Sequence, residues 1–134
     1  MMAGGRRRER AKIREVRFFN LTQIQVPVGA WTSFIHRVTG IILALGIPSC
    51  IYILDLSLEN PESYALLASQ FDRPVFKAIA VLFIWALAHH LLAGIRHLLS
   101  DIDTGSLLPA ARRSAWIVNV SGIAVALLAA GVLF

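Results

Sequence analysis

Three long apolar segments, separated by short polar stretches, dominate the pattern of the chain. They run from about residue 30 to 56, from 74 to 99 and from 114 to 134. A helix needs about 20 mostly apolar residues to cross the hydrocarbon core of a bilayer, and each segment is long enough. The pattern therefore predicts an all-α fold, an integral membrane bundle of three transmembrane helices.

The polar stretches between the segments predict how the helices are joined. Residues 60–61, Asn-Pro, favour a turn, and residues 62–71 have the pattern of a short amphipathic helix. Pro74 suits the first turn of the second long helix. Residues 101–109 are expected to form a loop before the third long helix, which is predicted to start near Ser114.

Charge divides the chain into two parts, a basic N-terminal arm with an interfacial connector (residues 1–28) and a membrane domain (residues 29–134). Much of the net charge of +5 comes from seven basic residues in the arm: Arg6, Arg7, Arg8, Arg10, Lys12, Arg14 and Arg17. By the positive-inside rule the N-terminus is cytoplasmic, the acidic connection 55–72 is external, and the C-terminus is periplasmic. Little basic surface remains outside the arm, so nucleic acid is not an expected partner.

Composition agrees with the membrane assignment. The chain has 134 residues, of which 57% are hydrophobic and 16% charged, and this is too apolar for a small soluble domain. A bundle of three helices has little interior of its own. We therefore expect its polar faces to be buried against a partner subunit, and the rest of its surface to face lipid.

The second long segment carries the strongest chemical signal. On a helix, His90 and His97 lie two turns apart on one face, together with the small residues Ala86, Ala93 and Gly94. Imidazole is an axial ligand of haem iron, and small neighbours would let a bulky ligand lie flat against this face. Ionisable residues within a membrane are usually functional. His90 lies roughly 10 Å deeper than His97, so we predict His90 as the haem ligand.

His89 has a different predicted role. It lies about 100° around the helix from His90, so both histidines cannot face the same porphyrin. We interpret His89 as the donor or acceptor of a hydrogen bond between helices, or as a residue at the membrane interface.

Further polar residues gather near the predicted cytoplasmic interface. His36, Arg37 and His97 are available to the propionates of a haem. Ser33 and Arg37 lie one turn apart and could hydrogen-bond the carbonyl oxygens of a quinone, whereas Asp101 could orient His97 or join a proton path. The alternatives are that Arg37 reaches lipid phosphates and that Ser33 bonds back to its own helix.

Two motifs carry a resemblance to a known family. The run SFIHRVTG (residues 33–40) and the later run HHLLAGIRHLLSD (residues 89–101) resemble the cytochrome b556 membrane-anchor subunits of succinate dehydrogenase, that is, succinate:quinone oxidoreductase or complex II. The resemblance extends from Asn20 onward and includes three spans at matching spacing. The chain departs from the family at residues 18–19, where Phe-Phe replaces a frequent Arg-Pro pair.

The resemblance implies a haem b shared with a second small membrane-anchor subunit, His90 being one axial ligand and the partner supplying the other. Ser33 and Arg37 match ubiquinone-site positions, and His36 and Arg37 match positions near the propionates. An iron–sulfur subunit and a flavoprotein subunit would dock on the cytoplasmic face of the bacterial inner membrane. The chain would pass electrons from succinate to ubiquinone without any dehydrogenase chemistry of its own.

Two other function classes compete with this interpretation. A small proton-conducting or transporter subunit would use the same histidines and arginines to move protons, without haem. A purely structural anchor would keep the fold and lack the haem. A reduced-minus-oxidised spectrum with a b-type band separates the first interpretation from both.

Overall fold

A computed structural model describes residues 26–134, so the predicted basic arm and most of the connector lie outside the described residues. The chain forms four helices: α1 (Val28–Glu59), α2 (Pro61–Phe71), α3 (Pro74–Asp101) and α4 (Leu108–Leu133). The part of the chain that is described contains no strand. By length and composition, α1, α3 and α4 can each cross a membrane, which confirms the predicted three-helix membrane bundle.

The short connections follow from local sequence. The side-chain oxygen of Asn60 accepts a hydrogen bond from the Ser63 N–H at 2.8 Å, which caps α2. Pro61 and Pro74 occupy the first turns of α2 and α3, where a missing N–H costs nothing. The predicted turn at 60–61 and the predicted short helix after it are therefore confirmed.

The start of α4 differs from the prediction. The helix begins at Leu108, six residues before Ser114, and the connection after α3 is only residues 102–107. The physical reason is that Pro109 lies in the first turn of α4, where proline starts a helix instead of breaking one. Arg112 and Arg113 are consequently helical and lie before the apolar part of α4.

The three long helices pack through small and polar side chains. α3 contacts both α1 and α4, and α1 contacts α4 less extensively. The buried residues of these helices are Thr32, Thr39, Leu43, Ala86, His89, Ala93, Ala115, Val118 and Gly122. Small and hydrogen-bonding residues are what membrane helices use to associate, because large apolar side chains gain nothing by leaving lipid. The large apolar side chains are accordingly mostly exposed on the outside of the bundle.

Close contacts in the middle and at both ends of the bundle show which ends of the helices lie together. Near the middle of α1, Gly46 lacks a Cβ, and the Phe83 ring of α3 fills the space that a Cβ would take. At the end where α4 finishes, the Lys77 Nζ lies 5.9 Å from the centroid of the Phe134 ring. At the opposite end, the α1 residue Gly29 lies beside the Arg96 guanidinium. The start of α1, the end of α3 and the start of α4 therefore share one end of the bundle.

Candidate functional site

His90 of α3 points at α1. Its Nδ1 lies 3.0 Å from the backbone oxygen of His36 and 3.3 Å from the Thr39 hydroxyl oxygen. Gly40 makes this approach possible, because a Cβ there would lie only 3.0 Å from the His90 Cε1. The close fit of an imidazole against the α1 backbone is the central feature of the candidate site.

The hydrogen bonds of His90 determine which ring nitrogen carries the proton. A backbone carbonyl can only accept, so the His90 Nδ1 must donate to the His36 oxygen. The Thr39 hydroxyl donates to the same carbonyl at 2.9 Å, which leaves its oxygen free to accept from Nδ1 as well. In the neutral imidazole this places the lone pair on the His90 Nε2, the nitrogen that would then be available to a metal.

Two other imidazoles lie near His90, one stacked on it and the other beside the stacked ring. The His36 ring stacks on it with centroids 4.1 Å apart and planes 15° from parallel, and the His97 ring lies 5.2 Å from that of His36. The His36 Nε2 is buried and has no hydrogen-bond partner within residues 26–134. A buried polar atom without a partner is unusual and indicates that a group outside residues 26–134 satisfies it.

The expected open trough of small residues is not what the structure shows. Ala86 and Ala93 are both 0% exposed, because neighbouring helices cover them. Their small side chains let the helices approach, so they offer no free surface on which a bulky ligand could lie. His90, His97 and Gly94 are half-buried and remain at the margin of the helix contact.

Ser33 and Arg37 lie one turn apart near the start of α1, where Ser33 is half-buried and Arg37 exposed. Thr32, beside Ser33, bonds back to the Val28 oxygen at 3.0 Å. For Ser33 no such bond to its own helix occurs in the described part of the chain. Ser33 and Arg37 therefore present polar groups that no described residue engages.

The structure does not bring all the predicted polar residues together. Asp101 is the last residue of α3, is exposed, and forms no hydrogen bond with His97 in the described structure. Arg96 turns away from this cluster: its Nε donates to the Ser114 hydroxyl at 3.1 Å and its Nη2 to the Ala111 oxygen at 3.4 Å. Arg96 thus links α3 to the start of α4.

His89 lies on the other side of α3, as its position relative to His90 predicts. It is 1% exposed, and its Nε2 lies 3.1 Å from the Asn119 side-chain oxygen on α4. The Thr32 hydroxyl lies 3.2 Å from the same oxygen and 3.0 Å from the Val28 carbonyl oxygen, and its single proton can be donated to only one of these two acceptors at a time. The interpretation of His89 as a residue that bonds between helices is confirmed.

Sequence reasoning missed four residues that shape these sites: Thr32, Thr39, Gly40 and Asn119. Asn119 carried a signal, since it is a strongly polar residue in an otherwise apolar helix. Among the described residues, no group of three or more His, Cys, Asp or Glu side chains forms a metal cage. Of the groups in residues 26–134, the His90 imidazole, held by its Nδ1 contact, is best suited to ligate the iron of a haem.

Comparison with known proteins gives a consistent result. Residues 11–130 match the family described as "Succinate dehydrogenase/Fumarate reductase transmembrane subunit". The chain is 33% identical to the succinate dehydrogenase cytochrome b556 subunit of Coxiella burnetii over 114 residues, which cover 84% of this chain and 90% of that protein. It is 30% identical to the protein of the same name from Paracoccus denitrificans over 115 residues, with coverages of 86% and 88%. Identity to the Rickettsia prowazekii protein of that name is 31%, with coverages of 81% and 85%.

Proposed function

The chain belongs to the succinate dehydrogenase/fumarate reductase transmembrane subunit family, and we propose that this cytochrome b membrane anchor binds haem b through His90 and helps to form the site where electrons from succinate reduce ubiquinone. The flavoprotein, iron–sulfur and second anchor subunits of the complex are its proposed partners. The bacterial inner membrane is its proposed location. The haem, when bound, supplies one-electron redox chemistry.

The observation that carries the haem proposal is the 3.0 Å contact between the His90 Nδ1 and the His36 backbone oxygen. Ligating histidines commonly donate their other ring N–H to a backbone carbonyl, which fixes the ring orientation and raises the basicity of the ligating nitrogen. In this chain Gly40, Thr39 and the α1 backbone hold the imidazole in that state before any ligand arrives. His89 has its Nε2 engaged by Asn119, and its Nδ1 is buried within the helix contact without a partner in residues 26–134, so this ring is not presented to a ligand.

Residues near His90 suit the propionates of the proposed haem. The buried His36 Nε2 has no partner within residues 26–134, and a propionate oxygen would satisfy it if that nitrogen carries the proton. His97 lies next to His36, and Arg37 is exposed at the same end of the bundle. Imidazole and guanidinium donors form strong, charge-assisted hydrogen bonds with carboxylates.

Ser33 and Arg37 suit the head group of a quinone. The Ser33 hydroxyl can donate to one carbonyl oxygen and so orient the ring. Arg37 keeps its proton at any physiological pH, so its charge stabilises the negative charge that develops on the carbonyl oxygen as electrons arrive. Both residues lie close to the end of the bundle at which the soluble subunits would dock, which keeps the electron route short.

The experiment that tests the haem proposal is a spectrum. The complex purified with all its subunits is expected to show a b-type band in the reduced-minus-oxidised difference spectrum, and pyridine extraction should yield about one haem b per copy of this chain. A purified, assembled complex with no such band would contradict the proposal. That result would instead favour a proton-conducting or purely structural subunit.

The proposed orientation can be tested by labelling. We expect Glu62→Cys in α2 to react with a membrane-impermeant maleimide added to intact spheroplasts, and Thr104→Cys to react only in inverted vesicles. Basic residues at the Arg112 end and acidic residues at the α2 end are the physical reason. Both variants are made in a Cys50→Ala background, because Cys50 is an exposed free thiol. The reverse labelling pattern would overturn the orientation.

A further inference from the structure

Two adjacent histidines of α3 are tied to a single face of α1 by separate routes. His90 reaches Thr39 directly, at 3.3 Å. His89 reaches Thr32 through Asn119 of α4, with distances of 3.1 Å and 3.2 Å to the Asn119 oxygen. Thr32 and Thr39 are seven residues apart, so they lie on the same side of α1, and both are fully buried. The contacts form a closed circuit through all three long helices.

The α4 side of this circuit is shaped to receive His89. Asn119 and Gly122 are one turn apart, and the His89 ring lies against both of them. A Cβ at Gly122 would come within 3.4 Å of the His89 Cβ and 3.5 Å of its Cδ2. The His89 side chain is only 1% exposed, so it is enclosed between the helices. A fully buried imidazole within a membrane helix is costly, so its presence calls for a function, whereas the Asn119 amide that it meets is half-buried.

The pair His89-His90 creates an ambiguity that apolar packing alone does not resolve. Turning α3 by about 100° about its axis would bring one of the two imidazoles to the direction now taken by the other, and the two have the same size and polarity. Asn119 distinguishes them, because its oxygen is placed to bond one ring while the α1 carbonyl receives the other. A single buried polar contact that selects one helix arrangement is an established use of such groups.

We propose that Thr32, Asn119 and His89 form a clasp that sets the rotation of α3 and thereby directs His90 at the His36 carbonyl. The three are positioning residues, and their proposed effect on haem rests on the proposed function above. The clasp makes His89 necessary for the geometry of the site although it does not ligate. It also gives α4 a role in positioning His90, although the hydrogen bonds of His90 itself go only to α1.

The clasp is tested in the whole purified complex with Asn119→Leu, which keeps the volume and removes the hydrogen bonds. The expected result is lower haem occupancy together with a shifted midpoint potential and altered low-spin electron paramagnetic resonance of the remaining haem. Thr32→Val is expected to cause the same changes to a smaller extent, and Thr32→Ser to restore the wild-type values. Ser121→Ala, on the same helix but outside the clasp, is the matched control.

A merely structural role would give a different result. If Asn119→Leu lowers only the thermal stability of the complex, and the potential and resonance of its haem match the wild type, the clasp proposal is wrong. His89→Gln, which can still bond Asn119, should keep the wild-type potential, whereas His89→Leu should not.

The clasp proposal can fail separately from the haem proposal. A wild-type complex without haem would refute the proposed function alone. The clasp is then judged from nitrogen-15 nuclear magnetic resonance of labelled histidine, with the His90 signals assigned through His90→Ala. The clasp requires His90 protonated at Nδ1 in the wild type and a mixture of tautomers in Asn119→Leu. The same tautomer in both would refute it.

Discussion

Replacing His90 by alanine is expected to abolish the b-type spectrum of the purified complex, or to leave only a weak and strongly shifted band. Loss of an outer-shell partner of a metal ligand typically costs about 10- to 100-fold in metal affinity, so loss of the ligand itself should cost at least about 100-fold. The measurement is the reduced-minus-oxidised difference spectrum, normalised to the protein content of the complex. The physical reason is that the variant lacks the proposed ligand, the imidazole whose Nδ1 contacts the His36 carbonyl.

Two further variants make the His90 result specific. His89→Gln should retain the haem, because Gln can still bond Asn119. Thr39→Val should have an intermediate effect, since His90 keeps its bond to the His36 carbonyl but loses the contact with the Thr39 hydroxyl. An unchanged spectrum in His90→Ala, combined with loss in the His89 variant, would transfer the ligand assignment to His89. Quinone reduction is expected to survive in part, as electrons need not pass through haem to reach quinone.

The second large effect concerns the start of α1. We expect Ser33→Ala and Arg37→Leu each to lower the succinate:quinone reductase rate roughly fivefold to 150-fold. This corresponds to a loss of about 1–3 kcal/mol of transition-state stabilisation. Each change removes a group that we propose contacts a carbonyl oxygen of the quinone. The loss should be largest for Arg37, because its charge opposes the charge that develops on the quinone.

The controls for this prediction separate quinone reduction from assembly. Succinate oxidation with an artificial acceptor that takes electrons upstream of quinone should stay at the wild-type rate in both variants. Ser49→Ala, an exposed serine on the same helix toward its other end, should leave both activities unchanged. If Ser33→Ala and Arg37→Leu complexes assemble and reduce quinone as fast as the wild type, the quinone site lies in the partner subunits.

Much of the fold could be predicted from the sequence because membrane helices are specified by local pattern. Apolar length alone predicted the three long helices, and Asn60 with its following proline predicted the turn into α2. The start of α4 could not be placed in this way. A proline such as Pro109 can end one helix or lie in the first turn of the next, and the structure shows that it lies in the first turn of α4.

The candidate site was predicted as a set of residues but not as an arrangement. Helical spacing separates His89 from His90, and that separation is observed. The contact between His90 and the His36 carbonyl depends on how α1 and α3 turn toward each other, and no spacing within one helix contains that information. The small residues illustrate the same limit: Ala86 and Ala93 share the predicted face, yet they serve helix packing and not ligand access.

The length of α1 bears on how the bundle meets its bilayer. Its 32 residues span about 48 Å at 1.5 Å per residue, whereas a hydrocarbon core is about 30 Å thick. A helix of this length must tilt or project. Because the His90 Nδ1 donates to the His36 carbonyl of α1 and the Thr32 hydroxyl of α1 contacts the Asn119 oxygen of α4, sliding of the helices past one another would break these contacts. We therefore expect the bundle to adapt to membranes of different thickness by leaning as one body, with the depth of His90 relative to Thr39 unchanged.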